Sequence, residues 1–260
     1  MDRIKFLGTA GARFVVTKQV RASGGLWFTL DDTNFLVDPG PGTLVKCATS
    51  KPKLDPTTLE GIILTHRHLD HSSDVNVMIE AMTEGGFKKR GELFVPADAL
   101  NEDPVVLRYL RHFVEKIHTL KEGGNYSLGK IKFSTPVKHI HGVETYGIKF
   151  KSSKYVLSLI VDTKFFPDIT KHYMKSDLVI VNVVRHEATG MSLRMDHLNI
   201  EDVKIIIKEI KPKVTIITHF GMTMVRAKPW EIADKLSDEL GIKVIAARDG
   251  MDFKLDEELK

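Results

Sequence analysis

The sequence predicts an α/β (α+β) fold in which two β-sheets pack back to back and helices cover their outer faces. The N-terminal third is a series of short strands joined by tight turns, the middle is rich in strands, and the final third alternates strands with helices. Strands first, with helices then alternating, are typical of this layered arrangement. The 260 residues show no Pro/Ser-rich linker, charge block or internal repeat, so we expect one domain over residues 1–260.

Alternating or apolar runs predict the strands of the N-terminal part, which are residues 3–7, 24–30, 34–37, 61–64 and 92–95. Asp31 and Asp32 form the hairpin-type connection between the second and third of these strands. Apolar residues at helical spacing predict a helix over 74–84, which ends at the paired Gly85 and Gly86.

The rest of the chain is predicted from the same patterns. The middle strands are residues 117–120, 125–128, 130–133, 146–151 and 155–161. After them, strands at 178–183, 214–217 and 243–246 alternate with helices at 199–210 and 229–240. Apolar spacing and Pro104 predict a variable helical segment over about 97–118.

Composition narrows the classes of protein. With 42% apolar and 28% charged residues the chain can bury a full core. No apolar run is long enough to span a membrane, and the N-terminus lacks the apolar stretch of an export signal. The single cysteine, Cys47, cannot form an internal disulfide, so we expect a cytoplasmic protein with no membrane partner. The formal net charge of +4 is weak evidence for nucleic-acid binding, because a solvated Lys/Glu surface gives the same sum.

Four residues that bind metals well lie within six positions directly after the predicted strand 61–64. They are His66, His68, Asp70 and His71. On an irregular loop at the carboxyl end of a strand, such side chains can converge on one point. Imidazole nitrogens and carboxylate oxygens are ligands for zinc and neighbouring divalent metals. This density argues against a surface loop that is His-rich by chance, and it exceeds the needs of one tetrahedral site.

The His-x-His-x-Asp-His pattern resembles the signature of the metallo-β-lactamase superfamily, and further motifs extend the resemblance over nearly the full chain. They are the Asp38 turn at 38–42, His141 six residues before Gly147, Asp162 at the end of a strand, and His219 after a late apolar strand. The fold that this resemblance implies is a four-layer αββα sandwich.

The resemblance also implies two metal positions. The first would be held by His66, His68 and His141, the second by Asp70, His71 and His219, with Asp162 and a hydroxide bridging them. The implied cofactors are two divalent metal ions, with zinc as the default and manganese, iron or nickel compatible with the same ligands. His139 also precedes the strand and competes with His141 as a ligand. Asp38 either orients a ligand histidine or caps the turn before Pro39.

Candidate catalytic residues come from a resemblance to the phosphodiesterase branch of the superfamily, which the glycine-rich opening at 7–13 resembles. In the tRNA 3′-processing ribonuclease of that branch, a His-Glu-Ala-Thr sequence and a later histidine lie beside the metals. The matching positions are 186–189 and His197. The resemblance therefore implies His197 as the general acid and Glu187 as the residue that orients it, with Asp70 counted as catalytic as well as a ligand. Alternatively, His197 or Asn199 caps the helix that begins there.

The expected function is that of a dinuclear metal-dependent hydrolase, a phosphodiesterase that uses a metal-bridging hydroxide. The stretch between His141 and Asp162 is too short for the arm with which the ribonuclease clamps tRNA, so a small or cyclic phosphodiester is the expected substrate. The alternatives are an RNA-processing nuclease without that arm, a lactone or thioester (acyl) hydrolase on the same metals, and a metal-binding protein without turnover. RNA is therefore the second candidate partner. A homodimer is expected from the family resemblance.

Overall fold

The computed structural model describes residues 1–101, 103–187 and 195–260, and it contains two seven-stranded sheets. In the first sheet the strand order is β14-β1-β2-β3-β4-β5-β6. These strands are β1 Arg3–Phe6, β2 Leu26–Leu30, β3 Thr33–Val37, β4 Gly61–Ile63, β5 Glu92–Val95, β6 Lys116–Thr119 and β14 Asp252–Lys254. The pairs from β3 to β6 are parallel, and the remaining pairs of this sheet are antiparallel.

The second sheet has the order β13-β12-β11-β10-β9-β8-β7. Its strands are β7 Gly124–Leu128, β8 Ile131–Thr135, β9 Ile148–Lys151, β10 Val156–Ile160, β11 Leu178–Asn182, β12 Val214–Thr218 and β13 Lys243–Ala246. The four strands from β10 to β13 are parallel, whereas β7 to β10 pair antiparallel. Because parallel strands end at the same edge, the carboxyl ends of β10, β11 and β12 meet on one side of the molecule.

Helices cover the outer face of the first sheet and the parallel part of the second, which confirms the predicted α/β layering. They are α1 Ala12–Thr17, α2 Thr43–Thr49, α3 Leu69–Ser72, α4 Val75–Met82, α5 Ile169–Tyr173, α6 Ile200–Ile210, α7 Met222–Arg226, α8 Pro229–Leu240 and α9 Leu255–Glu258. Helix α4 packs on the first sheet, whereas α5, α6 and α8 pack on the parallel part of the second. None of the helices in the described ranges is long and apolar enough to cross a membrane.

The main core lies between the two sheets and is dominated by aromatic side chains. Phe28 and Phe35 stack at a centroid distance of 4.9 Å, and Phe150 of the second sheet packs 5.2 Å from each of them. Such rings bury large apolar areas and contribute strongly to the free energy of folding. The two sheets are therefore held face to face by side chains from both.

The predicted helical segment over 97–118 is wrong. Those of its residues that the structure describes form two short 3-10 turns, Ala97–Ala99 and Arg108–Leu110, and then enter β6 at Lys116. The side chain of Asn76 donates to Val105 O at 2.8 Å and accepts from Leu107 N at 2.9 Å, so it satisfies backbone groups that a helix would have paired. Pro104 further disfavours helical backbone at the residue before it. The apolar spacing reflected burial beneath α4, not a helix.

Candidate metal centre

The first part of the site is the loop that follows β4. Thr65 and His66 leave the strand fully buried, and His68 is the residue before α3. The single turn of α3 carries Asp70 and His71. The loop is tied to the second sheet because Tyr146 N donates to Thr65 O at 3.1 Å. The four residues of the sequence motif are thus fixed at the edge where the two sheets meet.

The second sheet supplies the facing side chains. Asp162 lies just beyond β10, Asn182 is the last residue of β11, and His219 directly follows β12. His141 lies in the loop before β9. Asn182, whose side-chain amide donates to Asp162 Oδ1 at 2.8 Å, was not predicted from the sequence. The signal was present, because a polar residue closing a strand parallel to β10 has to lie beside the end of β10.

His66, His68 and His141 form one group of potential ligands, with their nearest ring nitrogens all within 4.8 Å of one another. His141 Nε2 lies 3.0 Å from His68 Nδ1. His141 Nδ1 donates to the carbonyl oxygen of Asp196 at 3.0 Å, so Nε2 is the ring nitrogen that faces the group. Burial lowers the pKa of both His66 and His68, which favours the neutral rings that bind metals.

Asp70, His71 and His219 form a second group within the same 4.8 Å limit. His71 Nε2 and His219 Nε2 face each other at 2.9 Å, and Asp70 Oδ2 lies 3.4 Å from His219 Nε2. The backbone of His219 is left-handed, with φ 61°. Gly11 packs against it, since a Cβ on Gly11 would lie 2.2 Å from His219 O and 2.4 Å from its Nδ1. The glycine-rich opening of the chain therefore makes room for this ligand.

Asp162 lies between the two groups. Its Oδ2 is 3.9 Å from the Nε2 of both His66 and His141 and 3.5 Å from His71 Nε2. Its Oδ1 is 3.3 Å from His219 Nδ1. Burial disfavours ionisation of Asp162, but the facing histidines, His219 first, outweigh it and hold its pKa well below the ordinary value. An ionised carboxylate in this position can serve both groups.

Asp38 connects the groups from behind. Its Oδ1 accepts from Thr65 N, and its Oδ2 accepts from Thr65 Oγ1, both at 2.7 Å. The same Oδ2 accepts from His71 Nδ1 at 2.9 Å, and Thr65 Oγ1 accepts from His66 Nδ1 at 3.1 Å. Since each Nδ1 carries a proton, Nε2 is the nitrogen that His66 and His71 would each offer to a cation. Burial opposes a charged His71, but the surrounding carboxylates, Asp70 first, outweigh it and raise the pKa of His71 well above its ordinary value, so a metal would displace the proton of its Nε2. Of the two roles considered for Asp38, its side chain therefore has the contacts of a residue that orients two potential ligand histidines.

His197 lies beside Asp162, with its Nδ1 3.7 Å from Asp162 Oδ2 and its side chain 15% exposed. Arg185 Nη2 donates to the carbonyl oxygen of His197. Asn199 caps α6, because its Oδ1 accepts from the backbone N–H of Glu201 at 2.8 Å, and His197 is not used for this purpose. Burial lowers the pKa of His197 to about 4. With His141 and Asp162 it also forms a third close group that could hold a metal.

Two other candidates lie apart from the groups. Glu187 is not brought to His197: its side chain is 68% exposed and its described ion pair is with His186, at 3.5 Å. The Ala188 and Thr189 of that motif are outside the described residues. His139 is buried, and its Nε2 is paired with Tyr173 OH at 2.8 Å on the side of α5. Of the two competing histidines, the structure thus places His141 among the potential ligands.

The side chains at this edge fit divalent metals. Within the described part of the chain, the buried His66 Nε2 and His219 Nδ1 have no hydrogen-bond partner. Buried nitrogens left in this way are costly unless a cation binds them. The donor set of imidazole nitrogens with carboxylate oxygens is one that zinc and its neighbours accept.

Comparison with known sequences identifies the family. The family model described as a beta-lactamase superfamily domain matches residues 33–220. The chain is 29% identical over 263 residues to the uncharacterized protein MJ1374 of Methanocaldococcus jannaschii, covering 97% of this chain and 94% of that protein. It is 26% identical over 216 residues to a UPF0173 metal-dependent hydrolase of Staphylococcus aureus, covering 78% of this chain and 85% of that protein. A ribonuclease Z of Thermoplasma acidophilum matches at 31% over 139 residues, 51% of this chain and 43% of that protein.

Solved structures share the fold. The metallo-beta-lactamase fold protein YhfI from Bacillus subtilis superposes with a TM-score of 0.78 at 20% identity, covering 97% of this chain and 98% of that one. The short form of human tRNase Z superposes with a TM-score of 0.70 at 18% identity, covering 98% of this chain and 99% of that one. A diphosphatase from the PhnP family superposes with a TM-score of 0.69 at 20% identity, covering 97% of this chain and 96% of that one. The ordered motifs, the two-sheet sandwich and the matched domain show that this chain belongs to the metallo-β-lactamase superfamily and carries at its sheet edge histidine–aspartate groups able to bind metal.

Proposed function

We propose that the protein is a dinuclear metal-dependent phosphodiesterase that hydrolyses small or cyclic phosphodiesters. The observation that carries the proposal is the position of His197, 3.7 Å from the carboxylate of Asp162 that lies between two groups of metal ligands. A hydrolase with a poor alkoxide leaving group needs a proton donor at such a place. An acyl hydrolase acting on activated esters does not depend on one to the same degree.

The residues proposed to hold the metals are the two groups with Asp162 shared between them. The first group is His66, His68 and His141, and the second is Asp70, His71 and His219. Two divalent ions, with zinc as the first choice, would supply a water of lowered pKa and stabilise the charge that develops on the phosphoryl oxygens. Asn182 and the ligand histidines fix the orientation of Asp162 before any substrate arrives.

His197 is the proposed proton donor to the leaving oxygen. Burial holds its pKa at about 4, so the ring is neutral in the free site near pH 7. A phosphodiester anion bound next to the ring favours its charged form and raises this pKa towards the value that proton transfer needs. The backbone of the same segment is fixed on both sides, because His141 donates to Asp196 O and Arg185 donates to His197 O. The donor and a ligand of the first group are thus positioned by one short stretch of chain.

The substrate class follows from chemistry and size. Ribonuclease Z, tRNase Z and the diphosphatase named among the similar proteins all act on phosphate esters or anhydrides by their names, which supports phosphorus over acyl chemistry. The chain between His141 and Asp162 contains only β9, β10 and their connections, so no arm is available there to clamp a large RNA. We therefore propose that the substrate is a small phosphodiester, with RNA as the second candidate. We also propose that the protein is a cytoplasmic homodimer.

The test is the hydrolysis of bis(p-nitrophenyl) phosphate by zinc-loaded protein, with bound metal counted by elemental analysis. Asp162→Asn should abolish turnover and reduce the bound metal below two ions per chain. Asp168→Asn is the matched control, because Asp168 is exposed and pairs only with Lys171 among the described side chains. Turnover of lactones or thioesters, with none of phosphodiesters, would refute the proposal in favour of an acyl hydrolase. Two bound metals with no turnover on either class would point to a binding protein.

A further inference from the structure

In the described part of the chain, no helix covers the outer face of the second sheet at β7, β8 and β9. Helices α5, α6 and α8 bury the other end of this sheet, from β10 to β13. On β7 to β9 the residues facing outwards alternate with buried ones and are exposed or half-buried. Three lysines of this face, Lys132, Lys149 and Lys151, together with Lys175 before β11, line one depression, and we call these four residues the lysine face.

The strand register forces these positive charges together. Lys132 of β8 is directly opposite Lys151 of β9, so their Cβ atoms are about 5 Å apart. Lys149 lies two residues along the same strand and therefore on the same side of the sheet. Partial burial, and then the nearby Lys175, lower the pKa of Lys149, whose ammonium donates to Met174 O at 2.6 Å. Like charges in these positions destabilise the folded state unless a bound anion neutralises them.

Within the described ranges no carboxylate forms an ion pair with the lysine face, although Asp31 and Asp32 line the adjoining depression with Lys132 and Lys151. Nearby exposed lysines behave differently, since Lys130 pairs with Asp32 and Lys154 pairs with Asp256. The four lysines carry as much charge as the formal excess of +4 of the whole chain. A concentrated and unpaired positive field of this kind attracts an anionic partner.

The lining of the depression indicates which anion fits. Its volume is about 570 Å³. Besides the lysines it is lined by the polar side chains of Asn125, Tyr126, Ser127 and Ser134 and by Phe133 and Val156. The three strand lysines are distributed over two strands and about 7 Å along one of them, which is a longer track than one small anion occupies. An acidic protein partner would need exposed apolar anchors as well, but Phe133 is buried and Tyr126 packs partly against the core, which leaves Val156 as the one partly exposed aliphatic side chain among the lining residues. Lysines with hydroxyl and amide groups are what a phosphate backbone requires.

We propose that the lysine face binds the phosphate backbone of a single-stranded polynucleotide, independently of base sequence. The proposal concerns a surface away from the metal ligands, and it does not depend on the proposed function of the metal centre. It predicts affinity governed by salt. Single strands release counterions with a slope of about −0.7 in log K against log [salt] for each phosphate neutralised, so four contacts give a slope of about −3.

The experiment measures the fluorescence anisotropy of a labelled 12-nucleotide oligouridylate titrated with the full-length protein at several salt concentrations. The double variant Lys132→Gln/Lys151→Gln should weaken binding about tenfold and reduce the salt slope by about 1.4. The control is Lys88→Gln/Lys89→Gln, which removes the same charge from an exposed basic run elsewhere and should bind like the wild type. Asp162→Asn should also leave this binding unchanged, which separates the lysine face from the metal centre.

Three results would overturn the proposal. Equal weakening by both double variants would mean that only the net charge of the protein matters. Oligoglutamate of the same length binding as tightly as the oligonucleotide would assign the face to an acidic protein segment. An absence of salt-dependent binding by the wild-type protein would mean that the lysines form only a solvated face.

Discussion

Replacing Asp38 by asparagine should weaken metal binding in both ligand groups, although Asp38 is not proposed to touch either metal. Asparagine has the same shape and tolerates the left-handed backbone at this position, where φ is 52°. Its amide, however, puts an N–H group where one carboxylate oxygen now accepts. With the amide nitrogen in the place of Oδ2, it would donate to His71 Nδ1 and to Thr65 Oγ1, which now donate to Asp38.

The reversed hydrogen bonds move protons onto the ligating atoms. His71 would then carry its proton on Nε2, and Thr65 Oγ1 would turn its proton towards His66 Nδ1 with the same result for that ring. The opposite amide orientation sets two donors against each other at Thr65 N, which costs about 1–3 kcal/mol. Loss of a carboxylate partner behind a ligand histidine typically reduces metal affinity about 10–100-fold, or about 1.4–2.7 kcal/mol. We expect this loss at each of the two metals.

The assay is a competition titration of zinc between the protein and a chelator, for wild type, Asp38→Asn and the exposed control Asp55→Asn. Asp55 accepts from Thr57 N at 3.0 Å in a surface turn and has no contact with the ligand groups. Circular dichroism and the midpoint of urea unfolding of the metal-free proteins show whether a change is confined to metal binding. Wild-type affinity for both zinc ions in Asp38→Asn would refute the proton arrangement inferred for His66 and His71.

Three further predictions concern the acid, the packing of a ligand and the thiol. His197→Ala should lower the turnover of phosphodiesters with alkyl leaving groups about 10²–10⁴-fold and that of p-nitrophenyl esters much less, while two metals remain bound. Loss of a bound metal in this variant would instead identify His197 as a ligand. Gly11→Ala should displace His219 and cost about 1–3 kcal/mol of stability in urea unfolding, whereas Gly142→Ala, where a Cβ meets nothing within 4 Å, should be neutral. Burial raises the pKa of Cys47 to about 12 from an ordinary 9.0, so the stability it contributes is complete below pH 9 and is lost as the pH rises towards 12; labelling of the thiol by a disulfide reagent at pH 8 should therefore track unfolding.

Much of the fold and the candidate ligands could be predicted because strong local patterns coincide with the tertiary structure. The apolar runs of β4, β10 and β12 are followed at once by His66, Asp162 and His219, and a polar residue after a buried strand has few other places to go. Helix α6 could also be predicted from the sequence, because Asn199 and Asp202 form a capping box at its first turn.

Features that depend on contacts distant in sequence could not be predicted in this way. The segment before β6 has helical spacing, but the side chain of Asn76 holds its backbone in turns. The exposed position of Glu187 could not be read from a four-residue match. The lysine face could not be predicted from the sequence, because Lys132 and Lys151 become neighbours only through the register of β8 and β9.

Each ligand group draws side chains from both sheets of the sandwich. In the first group, His66 and His68 follow a strand of the first sheet, whereas His141 lies in a loop of the second. In the second group, Asp70 and His71 come from the first sheet and His219 from the second. An ion bound in either group would therefore act as a cross-link between the two halves of the molecule, closing a long loop of chain. At a free ion concentration 100 times its dissociation constant, each ion would add about 2.7 kcal/mol to the free energy of unfolding. Chelators should consequently loosen the whole sandwich, and the heat resistance of the protein should rise and fall with the metal supplied to it.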